Sequence, residues 1–432
     1  MALTRRAAIV ALCGVVLVFV APLRGWTVLF VEGLLLVGIV FDLLLAGSVR
    51  ALQVSRYGDT ARRLDESVAV GFVVVNNGTR AVRGVVRDAW PPSAQATPSR
   101  QRILVPAGER RRFSASLRPT QRKELDADRV TVRSVGPLGL AARQGSHLAP
   151  WRVRVLPAFP SRDKLPEKLA KLQVLDGRTA ARIRGEGTEF DSLRDYVEGD
   201  DARSIDWRAT ARRSTVVVRT WRPERDRRLL LVLDTGRTSA ARVGDGTRLD
   251  VAIDAALLLG ALASKAGDHV SVMSADTRAR GVSVESASAE NALPSLLRSM
   301  SGLHPQLVET DARAMAAAVL SRSRQRALVV LFTSLDEAAI HEGLLPVLPS
   351  LTARHLVVVA AVADPVVSSM ADNLDNAREV YDAAAAAETT AAAHRVSALL
   401  RRLGVVVVSA PPGDFAGAVA DSYLGLKAAG RL

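Results

Sequence analysis

Leu229-Leu230-Leu231-Val232-Leu233-Asp234-Thr235-Gly236-Arg237-Thr238 is the most informative run in the C-terminal half of the chain. Five consecutive apolar residues stop at an acid and a glycine turn. A strand covered on both faces has this pattern, and a parallel sheet between helices supplies the cover. Towards the C-terminus the pattern recurs. A helical period over 248–265 leads to an apolar strand at 269–273, and one over 311–321 leads to a strand at 327–332. Helix 337–350 precedes strand 355–362, and an alanine-rich helix over 376–402 precedes strand 405–408 and a last helix. This alternation predicts an α/β domain over 229–432 with a mostly parallel sheet. Such sheets take ligands at the carboxyl ends of their strands, where Asp234, Thr333 and Ser334 fall.

Towards the N-terminus, 157–228 is a densely charged connecting segment. Gly185-Glu186-Gly187-Thr188-Glu189-Phe190 is followed by Leu193-Arg194-Asp195-Tyr196 and by Glu198-Gly199-Asp200-Asp201. Arg203, Ile205-Asp206-Trp207 and Ala211-Arg212 come next, with Arg219 and Glu224 just before the apolar strand. The chain holds no GxxxxGK[ST] phosphate loop, and two glycines one residue apart are weak evidence for one. The acids between Glu186 and Asp206 have the composition of a Mg²⁺ site, which would make a metal-dependent hydrolase. Arginine neighbours nearly every one of them, however, and Arg–Asp forks pin loops. The segment is therefore expected to be structural or partner-binding. Arg194, Asp200, Asp201, Arg203, Asp206 and Trp207 are expected to form a fixed layer against the α/β domain.

Residues 58–156 alternate with period two. Val68, Val70, Phe72 and Val74 share one face, Asn77-Gly78 reads as a hairpin turn, and Phe113, Ala115 and Leu117 alternate likewise. Short strands at this spacing predict a β-sandwich. Before it, 7–23 and 26–48 are apolar runs, the second broken only by Glu32 and Asp42. They read as two transmembrane helices forming a hairpin over 1–50. Arg5 and Arg6 precede the hairpin, Arg50, Arg56, Arg62 and Arg63 follow it, and only Arg24 lies in its loop. The positive-inside rule then makes this a two-pass protein of the cell membrane with cytoplasmic soluble domains.

The 432 residues, 48% hydrophobic and 24% charged, exclude a disordered tail and are enough for more than one domain. A single cysteine, Cys13, excludes a disulfide framework and a cysteine-only zinc site. The net charge of +14 is uneven: 51–149 holds 17 Lys/Arg against 8 Asp/Glu, while 229–432 holds 18 against 21. A basic sandwich could bind anionic lipid or nucleic acid. Its arginines fall mostly at outward strand positions, so solvated faces are expected and no nucleic-acid partner. The six histidines never form HxH or HExxH, and no G-x-S-x-G elbow exists.

The series Gly185, Gly187, Glu189, Phe190, Leu193, Arg194, Tyr196, Gly199, Asp200, Asp201, Arg203, Ile205, Asp206, Trp207, Arg212, Arg219 and Glu224 resembles the signature of the domain of unknown function 58 family. Val135-Gly136-Pro137-Leu138-Gly139-Leu140 and Val155-Leu156-Pro157 resemble two further family turns, while Arg122-Lys123 departs from the usual Arg-Gly. The resemblance implies a multi-domain, membrane-anchored, non-enzymatic protein. Two N-terminal helices and a β-sandwich would lead into a von Willebrand A-like, Rossmann-like α/β domain. It also implies a metal-ion-dependent adhesion site, with Asp234 as its aspartate, Thr238 as its second hydroxyl and Thr310 as its distant threonine. Gly236 replaces the first serine, and Ser334 stands where the last aspartate is expected, with Asp336 two places on. The expectation is a degenerate site with no firm cofactor, binding Mg²⁺ weakly. Implied partners are a MoxR-type AAA+ ATPase and a transglutaminase-like membrane protein, in an adaptor role.

Overall fold

A computed structural model describes residues 2–20, 24–182, 189–222, 227–282, 289–372 and 374–432. The chain divides into two compact units, Met1–Leu156 and Pro157–Leu432. The signature segment is thus part of the second unit and not a separate linker.

The first unit opens with strand β1 (Ala2–Leu3), then α1 (Arg5–Val20) and α2 (Arg24–Leu45), which pack side by side. The helical stretch Gly25–Ala51 is long and apolar enough to cross a membrane, by length and composition. Helix α1 has 16 residues, about 24 Å of rise against about 30 Å of hydrocarbon. Eight further strands complete the unit: β2 (Leu52–Gly58), β3 (Ala61–Arg63), β4 (Val68–Asn76), β5 (Val82–Asp88), β6 (Arg100–Val105), β7 (Arg110–Leu117), β8 (Glu124–Val135) and β9 (Ala141–Leu156). One sheet runs β2-β4-β7; the other runs β1-β9-β8-β5-β6, with β3 beside β9. Val68, Val70, Phe72 and Val74 are buried between them, as the alternation predicts.

Two expectations change. The strands begin at Leu52 instead of residue 58, and Ala2-Leu3 adds one more by pairing with Ala142 and Ala141. Asn77-Gly78 does not close a hairpin, because β4 and β5 belong to different sheets. The buried Asn76 governs this crossing: its amide donates to Arg80, Val105 and Pro106 carbonyls, and its Oδ1 accepts from Gly78 N–H. Asp42 near the end of α2 is fully buried. It accepts backbone N–H groups of Leu138 at 2.7 Å, Leu140 at 2.5 Å and Ala141 at 3.0 Å. Arg56 and Asp88 form an ion pair of 2.7 Å with side chains 1% and 2% exposed.

The second unit begins with α3 (Leu165–Arg182), the hairpin β10 (Glu189–Asp195) and β11 (Val217–Arg222), and α4 (Trp207–Arg213) between the hairpin strands. The α/β layer follows: β12 (Arg228–Asp234), a ribbon of β13 (Arg242–Val243) and β14 (Gly246–Thr247), α5 (Arg248–Lys265), β15 (His269–Ala275), β16 (Ala279–Val282), α6 (Ala289–Ser301) and α7 (Ala312–Arg322). It ends with β17 (Leu328–Phe332), α8 (Leu348–Thr352), β18 (Leu356–Val362), α9 (Pro365–Ala371), α10 (Ala377–Arg402), β19 (Val406–Ala410) and α11 (Pro412–Ala428).

The sheet order is β16-β15-β12-β17-β18-β19, parallel except for the antiparallel edge strand β16. Leu229, Leu231 and Leu233 pack under α5 and α11, while Leu230 and Val232 pack under α7 and α8. That two-faced cover explains why β12 is apolar at every position. The helix expected over 337–350 is instead a π-helical stretch, Ala339–Leu344, followed by the short α8. Pro346 and Pro349 lack the N–H groups a continuous helix requires. Strand β16 and helices α3, α6 and α9 are additions to the sequence-based scheme.

Candidate functional site

Asp234 ends β12, and Thr333 follows the last residue of β17. From β12 the chain steps to β15 on one side, while β17 lies on the other, so the strand order reverses here. Crevices form where connections leave a sheet in opposite directions.

Asp234 is 8% exposed. Thr310 Oγ1 donates to its Oδ1 at 2.5 Å, and Gly236 N–H donates to the same oxygen at 2.8 Å. Thr333 Oγ1 donates to Oδ2 at 2.6 Å, and Thr238 Oγ1 lies at 3.5 Å, the outer limit of a hydrogen bond. Thr310 is held at the start of α7, where Asp311 caps the N–H groups of Arg313 and Ala314. Gly236 leaves room for the Thr310 bond to Asp234: a Cβ there would sit 2.1 Å from Thr310 Oγ1 and displace it. Beside the carboxylate lies a cavity of about 320 Å³, with Val232, Met315, Leu331 and Ile340 among its apolar walls.

The residues proposed for the adhesion site, Asp234, Thr238 and Thr310, are thus brought together. The last position is corrected: Thr333 reaches Asp234, while Ser334 is buried with its Oγ unpartnered among the described residues. Asp336 accepts from Ala339 N–H at the start of the π-helical stretch. A strand-end hydroxyl beside the first strand was the available signal for Thr333. The set does not fit tight Mg²⁺ binding. One carboxylate supplies all its charge, and that carboxylate already accepts two hydroxyls and one amide. Hard cations need charge to offset dehydration. Among the described residues no group of three or more His, Cys, Asp or Glu is placed to hold a metal.

The charged signature forms its own structure. Arg194 grips Asp200 with two bonds, 2.7 and 2.6 Å, which hold the guanidinium pKa above its usual value. Gly199, at φ 107°, turns the chain between them. Asp201 caps a single turn at Arg203 N–H. Asp206 caps α4 through Arg208 and Ala209 N–H, both at 3.0 Å, and accepts Arg219 Nε at 2.8 Å. The Ala209 amide first, and then Arg219, lower its pKa. Leu193 pairs with Arg219 across the hairpin, Tyr196 N–H bonds Val216 O, and Ile205 bridges to Val218.

The expected layer against the α/β domain is corrected. Arg203 and Arg212 are exposed, and Trp207 is 69% exposed. Asp201 and Asp206 are spent on helix starts, and an Asp immediately before each start was a legible capping signal. Glu189 and Phe190 lie in β10, but their side chains, with Gly185, Glu186, Gly187 and Glu224, lie outside the described residues.

Residues 192–401, which take in the signature from Leu193 onward, the Asp234 crevice and most of the α/β layer, match the model of the protein of unknown function DUF58 family. The region 192–401 belongs to the DUF58 family. No curated protein matches this chain. Among solved structures, a conserved hypothetical protein BatB from Bacteroides thetaiotaomicron shares 13% identity over 47% of this chain and 99% of its own, with TM-score 0.27. An aerotolerance-related membrane protein from Bacteroides fragilis shares 15% over 31% and 67%, with TM-score 0.24. The CARDB domain of a Pyrococcus furiosus protein shares 16% over 24% and 91%, with TM-score 0.19. At these scores the likeness is partial.

Proposed function

We propose that this protein is a membrane-anchored adaptor and not an enzyme. In this scheme α1 and α2 cross the membrane as a hairpin, and both soluble regions lie in the cytoplasm. The second unit is a von Willebrand A-like domain, a view supported by its strand order with one antiparallel edge. Its crevice is a degenerate adhesion site without a tight cation. The partner is a MoxR-type AAA+ ATPase, with a transglutaminase-like membrane protein in the same assembly.

The observation that carries this proposal is the exposure of Trp207. Helix α4 holds it out on a rigid base, since Asp206 both caps the helix and binds Arg219. Tyr196, Val197 and Val216 on the same hairpin region are 39%, 62% and 41% exposed. An apolar group framed by charge is how a protein-binding surface looks, and tryptophan is its commonest anchor. The test is binding of the full chain, in detergent micelles, to a MoxR-type ATPase. Trp207→Ala should weaken binding by about 30-fold, near 2 kcal/mol, with an unchanged melting temperature. Equal affinity in the variant, or no binding by the parent chain, refutes the proposal.

A further inference from the structure

A second, larger cleft of about 910 Å³ opens at the carboxyl ends of β18 and β19, bordered by the loop after β17 and by α10. Its polar lining divides into groups already engaged and groups that are not. Asp336 accepts Ala339 N–H at 3.1 Å, and Asp364 accepts Val366 N–H at 2.9 Å. Each acid thus has one oxygen engaged at the start of a helical segment, while its charge remains at the cleft. Thr390 and Ser397 donate to carbonyls of their own helix, at 2.9 and 2.8 Å.

Among the remaining groups are two guanidinium cations and a buried hydroxyl. Arg248, the first residue of α5, has its Nε buried with no partner among the described residues. Ser334, 6% exposed, has its Oγ buried and equally unpartnered. Arg401, near the end of α10, lines the same cleft and has no ion pair among the described residues. The cleft also reaches Pro411, where α11 starts without a side-chain cap. A guanidinium N–H hidden from water and left without an acceptor is costly, so an acceptor at this place is favoured. Two forked cations and a free hydroxyl share one need, an oxyanion.

We infer that this cleft binds a small molecule bearing a phosphate or carboxylate group, held by Arg248 and Arg401 and completed by Ser334 Oγ. Arginine suits the task because its planar fork meets two oxygens of either group at once. The volume falls within the range of about 300–1,000 Å³ usual for small-ligand sites, and its place matches the strand-end rule for open α/β sheets. None of these residues belongs to the adaptor surface at Trp207, so either proposal can fail alone.

The experiment is calorimetric titration of the full chain in detergent micelles, at fixed ionic strength in chloride, with pyrophosphate and separately with succinate. Saturable binding of at least one is expected, and whichever binds assigns the group as phosphate or carboxylate. Arg248→Gln and Arg401→Gln should each weaken it by about tenfold or more, the value of a charge-assisted bond. Arg395→Gln, on the same helix but paired with Glu388 at 2.8 Å, should leave it unchanged. Should the Arg248 variant fail to fold, the exposed Arg401 carries the test. Absence of saturable binding for both anions overturns the inference, as does undiminished affinity in Arg401→Gln. Binding of an acidic peptide where both small anions fail overturns it too, and assigns the cleft to a protein partner.

Discussion

Thr333 gives its hydroxyl hydrogen to Asp234 Oδ2 at 2.6 Å, one step beyond Leu233 and Phe332, the last paired residues of β12 and β17. The crevice is therefore bridged by side chains where the backbone ladder ends. Replacing Thr333 by valine keeps the shape and removes the donor. The buried carboxylate then loses a partner, at a cost of about 1–3 kcal/mol. Ser334→Ala removes a buried, unpartnered hydroxyl and should leave stability unchanged or raise it. Urea unfolding of the two full-length variants checks the difference; equal midpoints would remove Thr333 from the site.

Metal affinity should be poor. With Asp234 alone supplying charge, Mg²⁺ or Mn²⁺ should bind no tighter than about millimolar. Titration calorimetry of the full chain measures it. A micromolar constant that disappears in Asp234→Ala would show that the hydroxyls turn their lone pairs to a cation after all.

Two arginines should behave oppositely. Arg56 is buried in the sandwich, bonded to Asp88 and to Ala149 O, with its guanidinium 5.4 Å from the Trp90 ring centre. Arg56→Ala strands a buried carboxylate and should cost about 3–5 kcal/mol. Arg203 is exposed and contributes only its backbone amide to the Asp201 cap, so Arg203→Ala should stay within about 0.5 kcal/mol. Thermal melts of both variants decide this; a large loss in Arg203→Ala would restore the buried layer.

Asp254 on α5 gives a pH dependence. Its carboxylate accepts Ser161 N–H at 3.2 Å and Ser161 Oγ at 2.8 Å. Burial raises its pKa, outweighing the opposite pull of Ser161 and Lys164. A raised carboxyl contributes stability that is complete below the unfolded value, about pH 4, and is lost as pH rises through the native value. Asp254→Asn keeps an oxygen for Ser161 and cannot ionise. It should melt higher than the parent chain at pH 7, with the gap closing towards pH 4. A gap that widens on acidification would reverse the sign.

Orientation follows from the arginines. Arg5 and Arg6 before the helices and Arg50 after them predict that a reporter fused after Leu432 behaves as cytoplasmic. Periplasmic activity of that fusion contradicts it.

Much of the fold was legible because it depends on local period. The bounds of α5, 248–265, follow from helical spacing, and Thr247 with Asp250 closes a capping box at its start. Val68 to Val74 declare their buried face by alternation. The crossing at Asn77 was illegible because a turn signal does not state which sheet receives the next strand. That is decided by pairing between β5 and β8, whose partners Gly84 and Ser134 are far apart in sequence. Thr333 and Ser334 were confused for a related reason: adjacent hydroxyls at a strand end differ only in the direction each side chain takes. The signature acids were read as buried because their density suggested mutual pairing. Asp201 and Asp206 instead satisfy backbone amides beside open solvent.

The arrangement around Asp42 constrains the order in which the protein can assemble. Thr4 reaches Gly139 O, 135 residues further along the chain, and Asp42 waits for the amides of Leu138, Leu140 and Ala141. During synthesis α1 and α2 therefore leave the ribosome long before their receiving turn exists. Until that turn arrives, a carboxylate near the end of α2 stands without its three donors, and Ala2-Leu3 stands without β9. The first strand of the chain is paired only once the ninth has been made.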